Sequence, residues 1–332
     1  AVDPGPDSGS PDATPSEKSE ILDTLESRPR RSLAAYASQR RDYLANTESW
    51  VLKPDLTLHK LLDLPSWASL SIEERIRYET YATPWIRNTT QGQWSTPLAS
   101  VVFGEVRPTE DVRLSAEFWD ARQWGPQDPN RLNNTMVNAL NFSQIYAAGV
   151  SRNLWESDID GELKGGQMTL SLGSTRLIAR YAFRNTQQSY VGLQGRLREK
   201  KGQWELLTFA TVPEKLLPTS TAALIDNQAV WNRPMTDAYF FGAFLTRHLG
   251  DHDRLEAYYY DLQQTRSSQQ LEQSHTPGLR IYRDVMKGAF DYEVETVGQV
   301  GVSPLGLGGS GASLPYDGVM EHIQVGYSWD CL

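Results

Sequence analysis

The stretch DVRLSAEFWD, residues 111–120, alternates without a break. Val112, Leu114, Ala116 and Phe118 fall on one side of an extended chain, and Arg113, Ser115, Glu117 and the amphipathic Trp119 fall on the other. Successive side chains of a pleated strand point to opposite faces, so a period of two predicts a β-strand with one greasy wall and one ionised wall. The same rhythm fills most of the chain beyond residue 66. In LSIEERIRYET (70–80), Leu70, Ile72, Ile76 and Tyr78 oppose Ser71, Glu73, Arg75, Arg77 and Glu79, with Glu74 the one misfit. In DYEVETVGQVG (291–301), Phe290, Tyr292, Val294 and Val300 oppose Asp291, Glu293, Glu295 and Gln299.

Further strands are predicted in DRLEAYYYD (253–261), GLRIYR (278–283) and EHIQVGYSWD (321–330). SYVGLQGRLREKKGQWELLTFAT (189–211) is a predicted hairpin. Val191, Leu193 and Leu197 lie on one face, Gln194, Arg196 and Arg198 on the other, and Gly202 is available for the positive φ of the turn. Weaker candidates lie near 98–107, 139–149, 166–173, 203–212 and 236–247, for about twelve strands in all.

Alternation alone does not separate a soluble sandwich, whose apolar face is inside, from a membrane barrel, whose apolar face is outside. Three features favour the barrel. The strands run about ten residues, the length a tilted strand needs to cross a bilayer. Tyr78, Tyr81, Trp119, Trp124, Trp204, Tyr259 and Trp329 sit at or near strand ends, where an amphipathic ring suits the headgroup zone. The polar faces carry charges of both signs rather than only Ser and Thr. In lipid only a closed sheet satisfies every backbone group, so the expected fold is all-β: a transmembrane antiparallel barrel whose polar face lines a lumen. Its connections alternate between short (107–112, 199–202) and long (121–138, 213–235, 302–319). The last of these, GVSPLGLGGSGASLPYDG, reads as a mobile loop, since it lacks the Lys of a phosphate-binding loop.

Composition removes several classes. With 41 acidic and 32 basic residues among 332, the net charge of -9 opposes phosphate neutralisation and nucleic-acid binding. The single cysteine, Cys331, excludes an intramolecular disulfide and a CxxC pair, and five scattered His residues leave metal catalysis without ligands; no cofactor is implied. No apolar run approaches the about 18–20 residues of a membrane helix.

The first residues, AVDPGPDSGSPDATPSEK, read as a disordered mature terminus over 1–14, as would follow a cleaved signal peptide. Thr14, Pro15 and Glu17 make a helix start, and 15–65 is expected to hold short amphipathic helices and a linker before a barrel over 66–332.

LGSTRLIARYAFRNTQQSYVGLQGRL (172–197) resembles the alginate-export family of outer-membrane barrels. The matching positions are Arg176, Leu177, Ile178, Arg180, Phe183, Arg184, Asn185, Thr186, Tyr190 and Gly192. IEERIRYE, LSAEFWDAR, HTPGLRIYR, DYEVETVGQVG and HIQVGYSWD extend the resemblance, in order, from about residue 66 to the end. Ser174 and Thr175 stand where the family carries further arginines, and family members usually have more strands. The barrel therefore either closes with fewer strands or is a piece of a larger one whose last edges are unpaired. The resemblance implies an outer-membrane channel for an anionic polysaccharide such as alginate, in contact with outer-membrane lipid and with possible periplasmic export partners.

With the apolar faces outward, the lumen receives Arg75, Arg77, Arg113, Arg196, Arg198, Arg254 and Arg280, with Glu73, Glu117, Glu256, Asp291, Glu293 and Glu295. Arginine forks bind carboxylates, and a series of weak, replaceable contacts lets a polyanion slide. The bland alternative is that these charges are structural ion pairs. Arg176, Arg180 and Arg184, spaced by four, are candidates for a constriction on an inward loop or short helix, against a basic surface loop as the alternative. Asp291 with Glu293, or Glu117 with Asp120, would be the acid pairs of a glycosidase, but nothing in the sequence separates their environments, so no enzyme activity is expected. The competing function is a soluble carbohydrate-binding β-sandwich without channel activity.

Overall fold

A computed structural model describes residues 62–65, 67–81, 93–125, 132–180, 183–267, 270–304 and 313–329. The disordered segment expected over 1–14, the helices expected after it and the centre of the Gly-rich loop lie outside the described residues. The strands are β1 (Ala68–Ile76), β2 (Glu79–Tyr81), β3 (Gln93–Val106), β4 (Val112–Trp124), β5 (Asn138–Ser151), β6 (Ile159–Met168), β7 (Tyr190–Glu199) and β8 (Trp204–Lys215). After a one-turn helix, α1 (Thr221–Ile225), come β9 (Arg233–Pro234), β10 (Ala238–His248), β11 (Asp253–Ser267), β12 (Gln270–Arg283), β13 (Phe290–Ser303) and β14 (Leu314–Tyr327).

All fourteen belong to one antiparallel sheet, and its main path takes the strands in chain order from β1 to β14, with β2 beside β3 and β9 beside β8 off the path. An up-and-down order needs only local connections. One rim has short turns, such as the one at 200–203, where Gly202 has φ 70° and its N–H donates to the Glu199 carbonyl at 2.8 Å. The opposite rim has the long connections, including the one between β6 and β7, together with the two-residue link from β11 to β12. The path is open: β1 and β14 are its two edges.

Burial is inverted relative to a water-soluble sheet. On the inner face Arg113 is 2% exposed and Glu295 1%, whereas on the outer face Val319 is 76% and Ile323 72% exposed. Cross-strand partners share a face, so the pattern carries from strand to strand: Leu114 pairs with Ala147 and Glu117 with Gln144. Exposed rings collect at both ends of this outer apolar band. Trp67, Trp155, Phe290, Tyr327 and Trp329 lie at the short-turn rim, and Trp94, Trp124, Trp231 and Tyr239 at the other. A sandwich would bury the apolar face under a second sheet, and the described residues form one sheet whose apolar face is uncovered. The fold is therefore the all-β one expected of a barrel, with twelve long strands on the path.

One strand differs from its predicted position. The pattern at 166–173 predicts a strand there, but β6 spans Ile159–Met168 and the chain then leaves the sheet. Leu170 and Leu172 alternate as in a strand because they pack against an aromatic inner wall instead of a neighbouring strand. Gly166 marks the departure: its φ is 132°, and an added Cβ would stand 2.4 Å from the Ile145 carbonyl oxygen, a position open only to glycine. The loop predicted over 302–319 is also shorter, since β13 runs to Ser303 and β14 begins at Leu314.

At the long-loop rim the first residues of β5 have no strand partner on the β6 side, because that pairing begins at Ile145. The connection between β8 and β10 covers them. Ala139 forms a parallel bridge with Ala229, Asn141 Nδ2 donates to the Val230 carbonyl at 3.1 Å, and Asn232 N–H donates back to Asn141 Oδ1 at 2.8 Å. Backbone groups that would otherwise be orphaned are thus satisfied.

Leu279→Arg places a charge in the middle of the outer band. In liposomes it is expected to lower folding stability by about 2–4 kcal/mol, read by urea titration, as lipid-facing arginine does near a bilayer midplane. If the outer face met water the change would be close to neutral.

Candidate functional site

Between β6 and β7, residues 169–180 and 183–189 fold inward and lie across the ionised face of the sheet. Their apolar side chains anchor them. Leu170, Leu172 and Ile178 pack with Leu207, Phe209, Phe240, Phe244, Tyr258 and Tyr260 of β8, β10 and β11. Tyr258 and Tyr260 are stacked, with ring centroids 4.9 Å apart, and Phe244 stacks on Tyr258 at 5.8 Å. Tyr258 lies flat over Gly278 of β12, where an added Cβ would be 2.1 Å from the ring.

This anchoring sets three polar staples. In the first, Arg176 Nη1 donates to Glu295 Oε2 at 2.6 Å and also to Glu293 Oε1, both on β13. Ser174 Oγ and the Tyr258 hydroxyl donate to Glu295 Oε1 at 3.0 and 2.8 Å. From β12, Arg280 donates to Glu293 Oε2 and to Glu256 Oε2, each at 2.8 Å, with its guanidinium 4.0 Å from the centre of the Tyr282 ring. Glu293 therefore joins two arginines, one from the inserted segment and one from the wall, and it stays partly open to solvent.

The second staple reaches the other side of the sheet. Arg180 Nη2 donates to Glu117 Oε1 of β4 at 2.6 Å and its guanidinium lies 5.3 Å from the Trp119 ring. Ser143 also donates to Glu117, and both partners of the ion pair are nearly buried. In the third, Arg75 Nη2 donates to the Arg184 carbonyl at 2.6 Å and Arg77 Nη1 to the Phe183 carbonyl at 2.5 Å. Beside them Asn185 Nδ2 is 2.9 Å from the carbonyls of Leu98, Arg122 and Met136, and the Trp119 indole N–H donates to the Asn185 carbonyl at 2.9 Å. The segment thus ties β1 and β4, near one edge of the sheet, to β13, next to the other.

A fourth cluster lies toward the short-turn rim, where Arg113 donates to Glu162 at 2.6 Å and Arg196 Nε lies 3.5 Å from Glu205. Lys164 Nζ stands 4.6 Å above the Tyr146 ring.

The structure brings Arg176, Arg280, Glu293 and Glu295 into one cluster, Arg180 and Glu117 into a second, and Arg75, Arg77 and the backbone at Arg184 into a third. Arg113 and Arg196 belong to the deeper group, and Asp291 stands apart over Gly326, where an added Cβ would be 2.7 Å from its Oδ1. Arg176 and Arg180 lie on an irregular inward segment, not on a helix. Glu117 and Asp120, the acid pair considered for catalysis, are on opposite faces of β4, with Asp120 held by Arg122 at 2.9 Å. Glu162 and Lys164 were missed because β6 was predicted too far along the chain; the alternation GELKGGQ, residues 161–167, was the available signal.

The inward segment stapled across the sheet contains the FRNT residues that carried the resemblance, and the alginate export family model matches residues 66–329. The chain belongs to the alginate export family. The match covers the whole sheet and the inserted segment. No curated protein matches the chain. Membership in the alginate export family implies an outer-membrane polysaccharide export channel, a transport role and not that of an enzyme family.

Removing one partner of a buried ion pair leaves an uncompensated charge. Glu117→Ala is expected to lower stability by about 3 kcal/mol, and Glu117→Ala with Arg180→Ala by less than the sum of the two single changes, in a urea-unfolding cycle.

Proposed function

We propose that this chain lines an outer-membrane passage for a polyuronate such as alginate, and that solute carboxylates move by exchanging with protein carboxylates on arginine. The observation that carries the reading is Glu293. Its two oxygens receive Arg176 and Arg280 from opposite sides, and its side chain remains partly exposed, so it occupies the place a uronate carboxylate would take. Arginine binds such a group through paired N–H donors, and a solute carboxylate arriving from water replaces Glu293 without leaving either guanidinium unpaired. Contact by contact this exchange is close to neutral, which is the condition for passage, since a site that holds too tightly does not release.

In this reading Arg176, Arg280 and Glu293 meet the solute, and Arg75, Arg77, Arg113, Arg180, Arg184, Arg196, Glu117, Asp291 and Glu295 build the wall around its path, with Arg113, Arg180 and Glu117 closed off in their own pairs. Arg176 and Arg180 form its narrowest part because the inserted segment carries them inward. The mixed sign of the lumen favours a solute bearing one charge per repeating unit over a free small anion, because such a polymer rebinds at the next arginine before leaving the last. Periplasmic export partners would deliver the polymer to the short-turn rim.

The test is planar-bilayer conductance of the refolded protein with oligouronates as blockers. Oligouronates are expected to block the wild type, Arg280→Gln to weaken the block about tenfold and Glu293→Gln to strengthen it, the tenfold step corresponding to about 1.4 kcal/mol. Absence of channel events, or equal block by uncharged oligosaccharides, would overturn the assignment.

A further inference from the structure

On the outer face near the short-turn rim, β4 to β8 enclose a groove of about 490 Å3. It is not part of the solute path. Its floor is a single cross-strand row in which large and small residues take turns: Val112 pairs with Gly149, Gly149 with Leu163, Leu163 with Gly195 and Gly195 with Thr208. Two residues nearer the rim Gly161 pairs with Leu197, and Leu154 of the β5–β6 turn folds over Gly161, where an added Cβ would stand 3.3 Å from its Cδ2. Leu154 thus roofs one end, and Leu163 forms an exposed wall. The glycines recess the row between Val112, Leu163 and Thr208 and leave a mostly apolar trough.

The mouth of the groove carries charges of both signs. Arg152 lies 3.6 Å from Glu110 and 3.5 Å from Asp111, all three well exposed, and Asp111 also borders the groove. Lys200 Nζ donates to the side chain of Asn153, the residue that follows Arg152, which brings a second cation to the same turn. A phosphate is complementary to Arg152 and Lys200, and an ammonium is complementary to Glu110 and Asp111.

We propose that this groove holds one acyl chain of a phosphatidylethanolamine molecule, whose phosphate meets Arg152 and Lys200 and whose ammonium meets Glu110 and Asp111. The inference rests on the membrane placement proposed above. The groove is continuous with the outer apolar band, so in a bilayer its neighbour is lipid, and an empty trough there would lose dispersion contacts that an acyl chain restores. The paired charges at the mouth select a zwitterionic headgroup over an anionic one, because an anionic lipid would set a second negative group beside Glu110 and Asp111.

The experiment compares wild type, Gly149→Leu, Gly104→Leu and Arg152→Gln, each refolded into vesicles of phosphatidylethanolamine and phosphatidylglycerol, extracted in mild detergent and weighed by native mass spectrometry. Gly149 has nothing nearer an added Cβ than the Asp111 carbonyl at 4.0 Å, so leucine there fills the groove without strain; Gly104 is equally open but outside it. One phosphatidylethanolamine per chain is expected on the wild type and Gly104→Leu, at least tenfold less on Gly149→Leu and several-fold less on Arg152→Gln. Equal retention by all four, none on the wild type, equal retention of phosphatidylglycerol, or a second copy of the chain at the groove would overturn the proposal. Failure of every protein to insert into vesicles would overturn the membrane placement too, whereas insertion without retained lipid overturns the groove assignment alone.

Discussion

Charge removed from water must be paired, and this sheet turns many ionised and amide side chains inward, above all on β4, β6, β7, β12 and β13. At low dielectric an unpaired guanidinium or carboxylate costs several kcal/mol, on the order of the whole stability of a domain. Neighbouring strands satisfy part of the demand: Arg113 of β4 and Arg280 of β12 find glutamates on strands nearby. Glu117 of β4 and Glu295 of β13 draw their cations from elsewhere, and the residues between β6 and β7 carry Arg180 and Arg176 to them. The inserted segment is therefore the counter-ion of the wall, and its apolar residues, seated on the Phe209–Tyr260 aromatic surface, hold that counter-ion in place.

The pairing also grades the charges by what they can do. Arg113 with Glu162, and Arg180 with Glu117, are closed off from solvent, and their energy goes into holding the wall together. Arg176 and Glu293 are more exposed, with Arg280 between them and the buried Glu256, so they form the place where an incoming carboxylate can trade with a resident one. A polyanion meets a lumen that is neither strongly positive nor inert, and each step of its passage exchanges one arginine contact for another. The outer face obeys a different rule: its side chains are mostly apolar, and the few charged ones, such as Asp261 with His275 and Glu321 with Thr296, are held by a neighbour on the adjacent strand.

Much of this was legible. The alternation in β4, β11, β13 and β14 showed in the residue pattern, because a period of two with one greasy and one ionised wall has few readings. Arg176 and Arg180 stood out by spacing and by the family motif. Their partners did not, since Glu117 lies 63 residues before Arg180 and Glu295 119 residues after Arg176, and no local pattern records a contact at that range. β6 was misplaced because three glycines, Gly161, Gly165 and Gly166, blur its faces, while Leu170 and Leu172 imitate a strand. The glycines that hid the strand are in part those that form the outer groove.

By itself the sequence determined the period, the two-faced strands, the short and long connections and the family, because these depend on residues within a strand's length of each other. Which way the faces point, and which arginine meets which glutamate, was decided only when the strands stood side by side in register and the inward segment crossed them. Alternation is symmetric between inside and outside. Only the assembled sheet, with the ionised wall shut away around its counter-ions and the apolar wall left uncovered, breaks that symmetry.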